Sequence, residues 1–331
     1  MTDIRRILFA VRDPDGRRQP GVAKAAALAR SLGATLELFH AIASPVFVGI
    51  QPLTGTSANA MRREVLAVRK RRLEQAAAAV RGKGLEVTCT AAWDHPPHEA
   101  ILRRARHIGA DLIVAEAHRG SRKAAWLMQL TDWELLRNSG IPVLVLRNHR
   151  HYQRPVILAA VDPGHAHDKP RKLDDRILAQ AQSLASALHG RVDVVHVSNP
   201  DPLGFALLDP ESGAGSLALS HQQLTRASAA VFADFARTHE LPRARRHFLA
   251  GDPATVIPRR ARKLRAAIVV MGAVSRSGLK RLFIGNTAER VLGALPCDVL
   301  VVKPERFASR VRPKSRGMNV AAAPATMPLP I

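Results

Sequence analysis

Gly272, Gly285, Asn286 and Thr287 are the residues whose types and spacing best suit chemistry, and that chemistry is anion binding. An apolar run ends at Met271-Gly272 and continues through Ala273-Val274-Ser275-Arg276-Ser277-Gly278. Gly285-Asn286-Thr287 then opens a helical pattern. Glycine lets backbone N–H groups approach a phosphate, and a helix N-terminus adds a partial positive charge. Asn286 or Thr287 can cap that helix. A capped helix after an ordinary loop is the plain alternative. Lys280 and Arg281 precede the turn and suit either phosphate contact or a solvated face.

Other groupings carry less. His149/His151 and His165/His167 are His-x-His pairs without an evident carboxylate or thiol partner, so loop histidines are the expectation. His95 and His98 flank Pro96-Pro97 at a helix start. No Ser-His-Asp or Cys-His motif stands in a nucleophile context, and GxxxxGK[ST] does not occur. No catalytic residue is assigned, and the chain is read as a non-enzyme. Cys89 and Cys297 are too few for a disulfide framework, a Cys-built zinc site or an iron–sulfur cluster.

These residues need a scaffold, and the scaffold is visible as a repeat. LARSLGATLELFH at Leu28–His40 matches LASALHGRVDVVH at Leu184–His196, an offset of 156 residues. The same offset relates Arg103–Arg106 to Arg259–Arg262, Leu112–Val114 to Ile268–Val270, and Val143–Val145 to Val299–Val301. Each copy alternates short apolar runs with Ala/Leu-rich helical patterns. Ile7–Val11 and Val156–Val161 open the copies as buried parallel strands. Long helices are expected near Asn59–Arg81 and His221–Thr238, with Ser198–Ser220 as a long surface loop. The alternation implies an α/β fold of two tandem domains. Each is a Rossmann-like, open five-stranded parallel sheet with helices on both faces. The expected division is 1–147, a linker at 148–154, 155–305, and a basic, Ala/Pro-rich disordered tail at 306–331.

With 331 residues, 47% of them apolar, the chain can bury a sizeable core. Its apolar runs fall short of the roughly 20 residues a membrane span needs, and the N-terminal run is too short for a signal peptide. A cytoplasmic protein without membrane insertion is expected. Fifty Lys and Arg against 27 Asp and Glu leave a net charge of +23, which would attract polyanions without specificity.

The loop residues carry a resemblance. The whole chain, over about residues 4–306, resembles the tandem universal stress proteins of the E type, whose domains are adenine nucleotide alpha hydrolase-like. Gly285-Asn286-Thr287-Ala288-Glu289 followed by CDVLVVKP, and TDWELLR followed by PVLVLRN, are the segments most similar to that group. ATP-binding relatives carry Gly, two residues, Gly, nine residues, Gly, then Ser or Thr. Gly272 and Gly285 match the first and third glycines. Ser275 replaces the second glycine, and Asn286 replaces the hydroxyl residue, with Thr287 one further on. The resemblance also implies that Asp162 and Val197 hold the adenine beside Met271 and Gly272, with Asp13 the first-copy counterpart of Asp162.

The first copy departs further. Glu116, Gln129 and Leu130 stand where the second copy has Gly272, Gly285 and Asn286. A carboxylate there repels phosphate, so the first domain is not expected to bind ATP through this loop. In the second domain, replacing the second glycine by Ser275 and the hydroxyl residue by Asn286 is expected to cost roughly 1–3 kcal/mol, a weakening of about 10- to 100-fold. ATP, with magnesium as its only metal, or another small molecule is therefore the expected ligand of a stress-response protein. One alternative is a nucleic-acid or other polyanion binder, through the basic surface and Arg310, Arg312, Lys314 and Arg316. A further alternative is a carrier of lipid or another apolar ligand. The resemblance also implies that the two halves pair through Val143–Leu146 and Val299–Val302; a homodimer of whole chains is left open.

Overall fold

In the computed structural model, residues 3–16, 18–42, 55–82, 84–117, 133–164, 172–199, 214–273, 286–305, 307, 309 and 311–313 are described. Side chains are described from residues 60, 221 and 287 onward in the helices that begin at Gly55, Ala214 and Asn286. The first half runs β1 (Arg6–Ala10), α1 (Pro20–Leu32), β2 (Thr35–Ile42), α2 (Gly55–Ala78), β3 (Val87–Trp93), α3 (Pro97–His107), β4 (Leu112–Glu116), α4 (133–138) and β5 (Val143–Leu146). The second runs β6 (Val156–Ala160), α5 (Leu173–Ala187), β7 (Arg191–Ser198), α6 (Ala214–Thr238), β8 (Arg246–Ala250), α7 (Pro253–Leu264), β9 (Ile268–Gly272), α8 (Asn286–Ala294) and β10 (Asp298–Val302).

Runs such as ILFA and IVVM are apolar on both strand faces, so both faces must be covered. The strands form one sheet in the order β3-β2-β1-β4-β5-β10-β9-β6-β7-β8. Pairing is parallel within each half. At the centre β5 meets β10 antiparallel, with Leu144 opposite Leu300 and Val145 opposite Val299. Helices α1, α2, α5 and α6 cover one face of the sheet, and α3, α4, α7 and α8 the other. Each apolar layer runs through both halves.

Two expectations need correction. Helix α6 begins at Ala214, inside the segment read as a loop. Ala and Leu in AGSLALS are strong helix formers and outweigh the glycine and serines. The tail, expected to be disordered from residue 306, packs at its start. Val311 is buried in the layer of α3 and α4, and Arg106 donates to its carbonyl at 2.7 Å. Residues 314–331 lie outside the described residues.

The seam holds a buried polar cluster. Lys24 on α1 ion-pairs with Asp298 at the start of β10, and both are almost fully buried. The Tyr152 hydroxyl donates to Asp298 Oδ2 at 2.6 Å, and the Arg147 backbone N–H donates to Oδ1 at 2.8 Å. Lys24 Nζ also donates to the Asn148 carbonyl at 2.9 Å and sits 4.4 Å from the Tyr152 ring centre. Burial pulls the Lys24 pKa down, and Asp298 opposes that pull. Burial holds the Tyr152 hydroxyl protonated, well above its ordinary range. At the repeat offset, Gln180 replaces Lys24 and Pro142 replaces Asp298, so the cluster exists once, between unlike halves.

A second buried lysine follows the other end of β10. Lys303 donates to the Ala273 carbonyl at 2.7 Å, and burial pushes its pKa down to about 8. Its counterpart Arg147 donates to the Leu292 carbonyl at 2.6 Å.

Removing one seam partner leaves a buried charge alone. Asp298→Ala or Lys24→Met is expected to cost about 3–5 kcal/mol in chemical denaturation. Lys24→Met combined with Asp298→Asn, which keeps acceptors for Tyr152 and Arg147, should cost clearly less than the two single changes added. Lys303 makes a pH prediction. The unfolded chain holds its proton up to about pH 10.5 and the folded chain only to about 8, so unfolding takes up a proton between them. Stability contributed at this site therefore rises with pH across that window, by roughly 3 kcal/mol. Denaturation curves of wild type and Lys303→Met should show that rise as their difference.

Candidate functional site

The chain reverses its direction of strand addition at β6, which has β7 on one side and β9 on the other. Ligands of open α/β sheets bind beyond the carboxyl ends of strands at such a point. Asp162 lies there, two residues past the end of β6. Val197 is near the end of β7, and Met271-Gly272 closes β9, with Met271 in register with Ala160. The structure thus brings Asp162, Val197, Met271 and Gly272 to one sheet edge. Asn286 opens α8, and Thr287 in its first turn is exposed. Ser275, Gly285, Lys280 and Arg281 lie outside the described residues.

Local bonds hold Asp162. Its backbone N–H donates to Oδ1 of buried Asp174, in the first turn of α5, at 2.9 Å. Its side chain is 37% exposed, and Oδ1 lies 3.7 Å from His196 Nδ1. His196 is buried in β7. Its Nδ1 donates to the Val161 carbonyl at 3.1 Å, and Nε2 accepts from the Ser228 hydroxyl on α6 at 2.7 Å. The ring packs with Phe232 and Phe248, at centre distances of 5.6 and 5.8 Å. His196, Ser228 and Asp174 were not singled out from the sequence. A histidine in an apolar strand reads as core, and its partners are far away along the chain.

Gly272 has a packing reason. A Cβ there would lie 2.8 Å from Leu173 Cδ2 and 3.2 Å from Ile177 Cδ1, the side chains of α5 that press on the end of β9. The first half solves the same contact the other way. Gly21 stands where the second half has Ile177, and a Cβ on it would collide with the Glu116 carboxylate. Side-chain volume has moved from the helix to the strand end. Glu116 Oε1 also bonds His149 Nε2 at 3.0 Å, so the carboxylate is held at the position of the loop glycine. The edge of the first half otherwise keeps its histidine: His40 Nδ1 donates to the Val11 carbonyl at 2.8 Å, and burial lowers the pKa of the ring.

The start of α8 is not purely positive. Glu289 in its first turn pairs with Arg137 of α4 across the seam at 3.0 Å, and Arg290 pairs with Asp252 at 2.8 Å. Both carboxylates are thereby partnered near the helix end that a phosphate would approach. Among the described residues, no group of three His, Cys, Asp or Glu side chains could hold a metal ion.

Comparison with known proteins gives the lineage. The model of the universal stress protein family matches residues 3–147 and 156–303. Universal stress protein E of Escherichia coli strain K12 is 29% identical over 307 residues, 92% of this chain and 96% of that protein. Universal stress protein E of Photorhabdus laumondii is 25% identical, over 91% of this chain and 95% of that protein. A solved structure of a functionally unknown protein from Pseudomonas aeruginosa PAO1 is 26% identical, with a TM-score of 0.64, covering 92% of this chain and 94% of that one. With both halves matched, the chain belongs to the universal stress protein family, as a tandem member of the E type.

Proposed function

We propose that this stress-response protein binds an adenine nucleotide, ATP with magnesium, at the carboxyl edge of its second domain and acts through that bound state without catalysis. Residues 1–147 and 155–305 serve as the two domains, joined by the linker 148–154. The observation that carries the reading is the asymmetry at one equivalent position. In the second half Gly272 ends β9 without a side chain, under the apolar Leu173 and Ile177 of α5 and on the same sheet edge as Asp162 and Val197, while in the first half the Glu116 carboxylate stands at that position. Asp162 and Val197 would hold the base. Gly272, Ser275, Gly285, Asn286 and Thr287 would present backbone N–H groups and hydroxyls to the phosphates. Family membership supports the stress-response role, and a cytoplasmic location is part of the proposal. Among the described residues no helix is long and apolar enough to cross a membrane.

A second reading rests on the surface charge. Arg62, Arg63, Lys70, Arg71 and Arg72 are exposed along α2 in a chain of net charge +23. This helix would bind a polyanion such as nucleic acid, with an affinity that falls steeply as salt rises.

Denaturing the purified protein and identifying the released small molecules by mass spectrometry tests the nucleotide reading and the lipid alternative, and nucleic-acid binding measured against salt tests the second reading. The nucleotide reading expects stoichiometric adenine nucleotide from the wild type and none from Gly285→Leu. No nucleotide, together with no thermal shift in millimolar ATP and magnesium, would remove it. Nucleic-acid binding that drops about tenfold or more between low and physiological salt would favour the second reading.

A further inference from the structure

We propose that Ser228 is a covalent acceptor site, its hydroxyl activated by His196 for acylation by an activated carboxylic ester. The site joins three elements: Ser228 on α6, His196 on β7, and Asp162 beyond β6. A backbone carbonyl can only accept, so the 3.1 Å contact to Val161 places the imidazole proton on Nδ1. That leaves the Nε2 lone pair facing the Ser228 hydroxyl at 2.7 Å, the tautomer a general base requires. Asp162 Oδ1, 3.7 Å from Nδ1, lies where it can stabilise the imidazolium that forms. The ring cannot swing away, because His196 is 3% exposed and packed with Phe232 and Phe248. Ser228 itself is half-buried and the Asp162 side chain reaches solvent, so both ends of the cluster carry exposed surface.

The duplicated half is an internal comparison. His40 keeps the bond from Nδ1 to a strand-end carbonyl, so that bond is a common feature of the fold. Among the described residues His40 has no hydroxyl partner, and Ala91 faces it in the register position that Phe248 holds beside His196. The serine and the aromatic side chain fixing the ring belong to the second half alone.

The step balances. Ser228 Oγ forms a bond to the ester carbonyl carbon while its proton passes to His196 Nε2. The bond from that carbon to the leaving oxygen then breaks, and His196 returns the proton to the departing alkoxide. The product is an acyl-serine, with no oxidation or reduction. This proposal shares Asp162 with the proposed nucleotide edge but does not rest on that reading, since the acylation step uses neither ATP nor residues 274–285.

The test is to treat the full-length protein with p-nitrophenyl acetate at neutral pH, quench it in acid, and map acetyl groups by mass spectrometry. The expected result is an adduct on Ser228 that forms at least about 100-fold faster than on other hydroxyls, as general-base assistance provides. Ser228→Ala should abolish it, Thr225→Ala on the same helix should leave it unchanged, and His196→Gln should slow it by about 100-fold or more. Circular dichroism establishes that each variant is folded. If His196→Gln does not fold, the ratio of Ser228 to the other hydroxyls decides alone. Acetyl groups spread over lysines and serines with no excess at Ser228, or an unchanged Ser228 rate in folded His196→Gln, would overturn the proposal.

Discussion

The ion pair between Lys24 and Asp298 joins residues 274 positions apart, in opposite halves of the chain, with almost no solvent at either group. Two buried charges are costly, and only their mutual attraction and the bonds from Tyr152, Arg147 and Asn148 offset that cost. The cluster therefore acts as a constraint on pairing. Two first halves would set Lys24 against Pro142, and two second halves would set Asp298 against Gln180. Either arrangement buries a charge without its partner. The apolar strands at the seam, Val143–Leu146 and Val299–Val302, are nearly interchangeable and could not make that distinction. Pairing them also covers two strand edges that would otherwise be open.

Once the halves are held as a fixed pair, they need not remain alike. The contact between the first helix and the fourth strand shows the divergence at single-residue scale. Gly21 with Glu116 and Ile177 with Gly272 fill the same space with opposite assignments of bulk. The first arrangement puts a carboxylate, held by His149, at the strand end. The second puts the apolar side chains of Leu173 and Ile177 against the Gly272 backbone. A similar shift surrounds the strand histidines, where His196 and His40 share the carbonyl bond and His196 adds Ser228 and Phe248.

Much of this was legible in the sequence because it is local or repeated. The constant offset of 156 residues exposed the duplication, and apolar runs such as ILFA and IVVM marked the buried parallel strands. Glu116 at the place of Gly272 could be read by alignment of the halves alone. What escaped depends on distance or context. Lys24 looks like one more charge on an Ala-rich helix, and nothing near it points to Asp298. His196 resembles a core residue until Ser228 is brought against it from another helix. The helical start at Ala214 was hidden by neighbouring glycine and serine, and Val311 by the basic residues around it. Ser275 and Gly285 fall outside the described residues, so the sequence remains the guide to that part of the loop.

The two halves share one architecture, and the proposed division of use puts the ligand on the edge of the second half, where the first half carries the Glu116 carboxylate instead of Gly272. Amide hydrogen exchange, followed by mass spectrometry with and without millimolar ATP and magnesium, tests it most directly. Slowed exchange is expected around Asp162, Val197, Gly272 and the start of α8, with unchanged exchange around Asp13 and Glu116. Equal protection of both halves, or protection of the first alone, would contradict it.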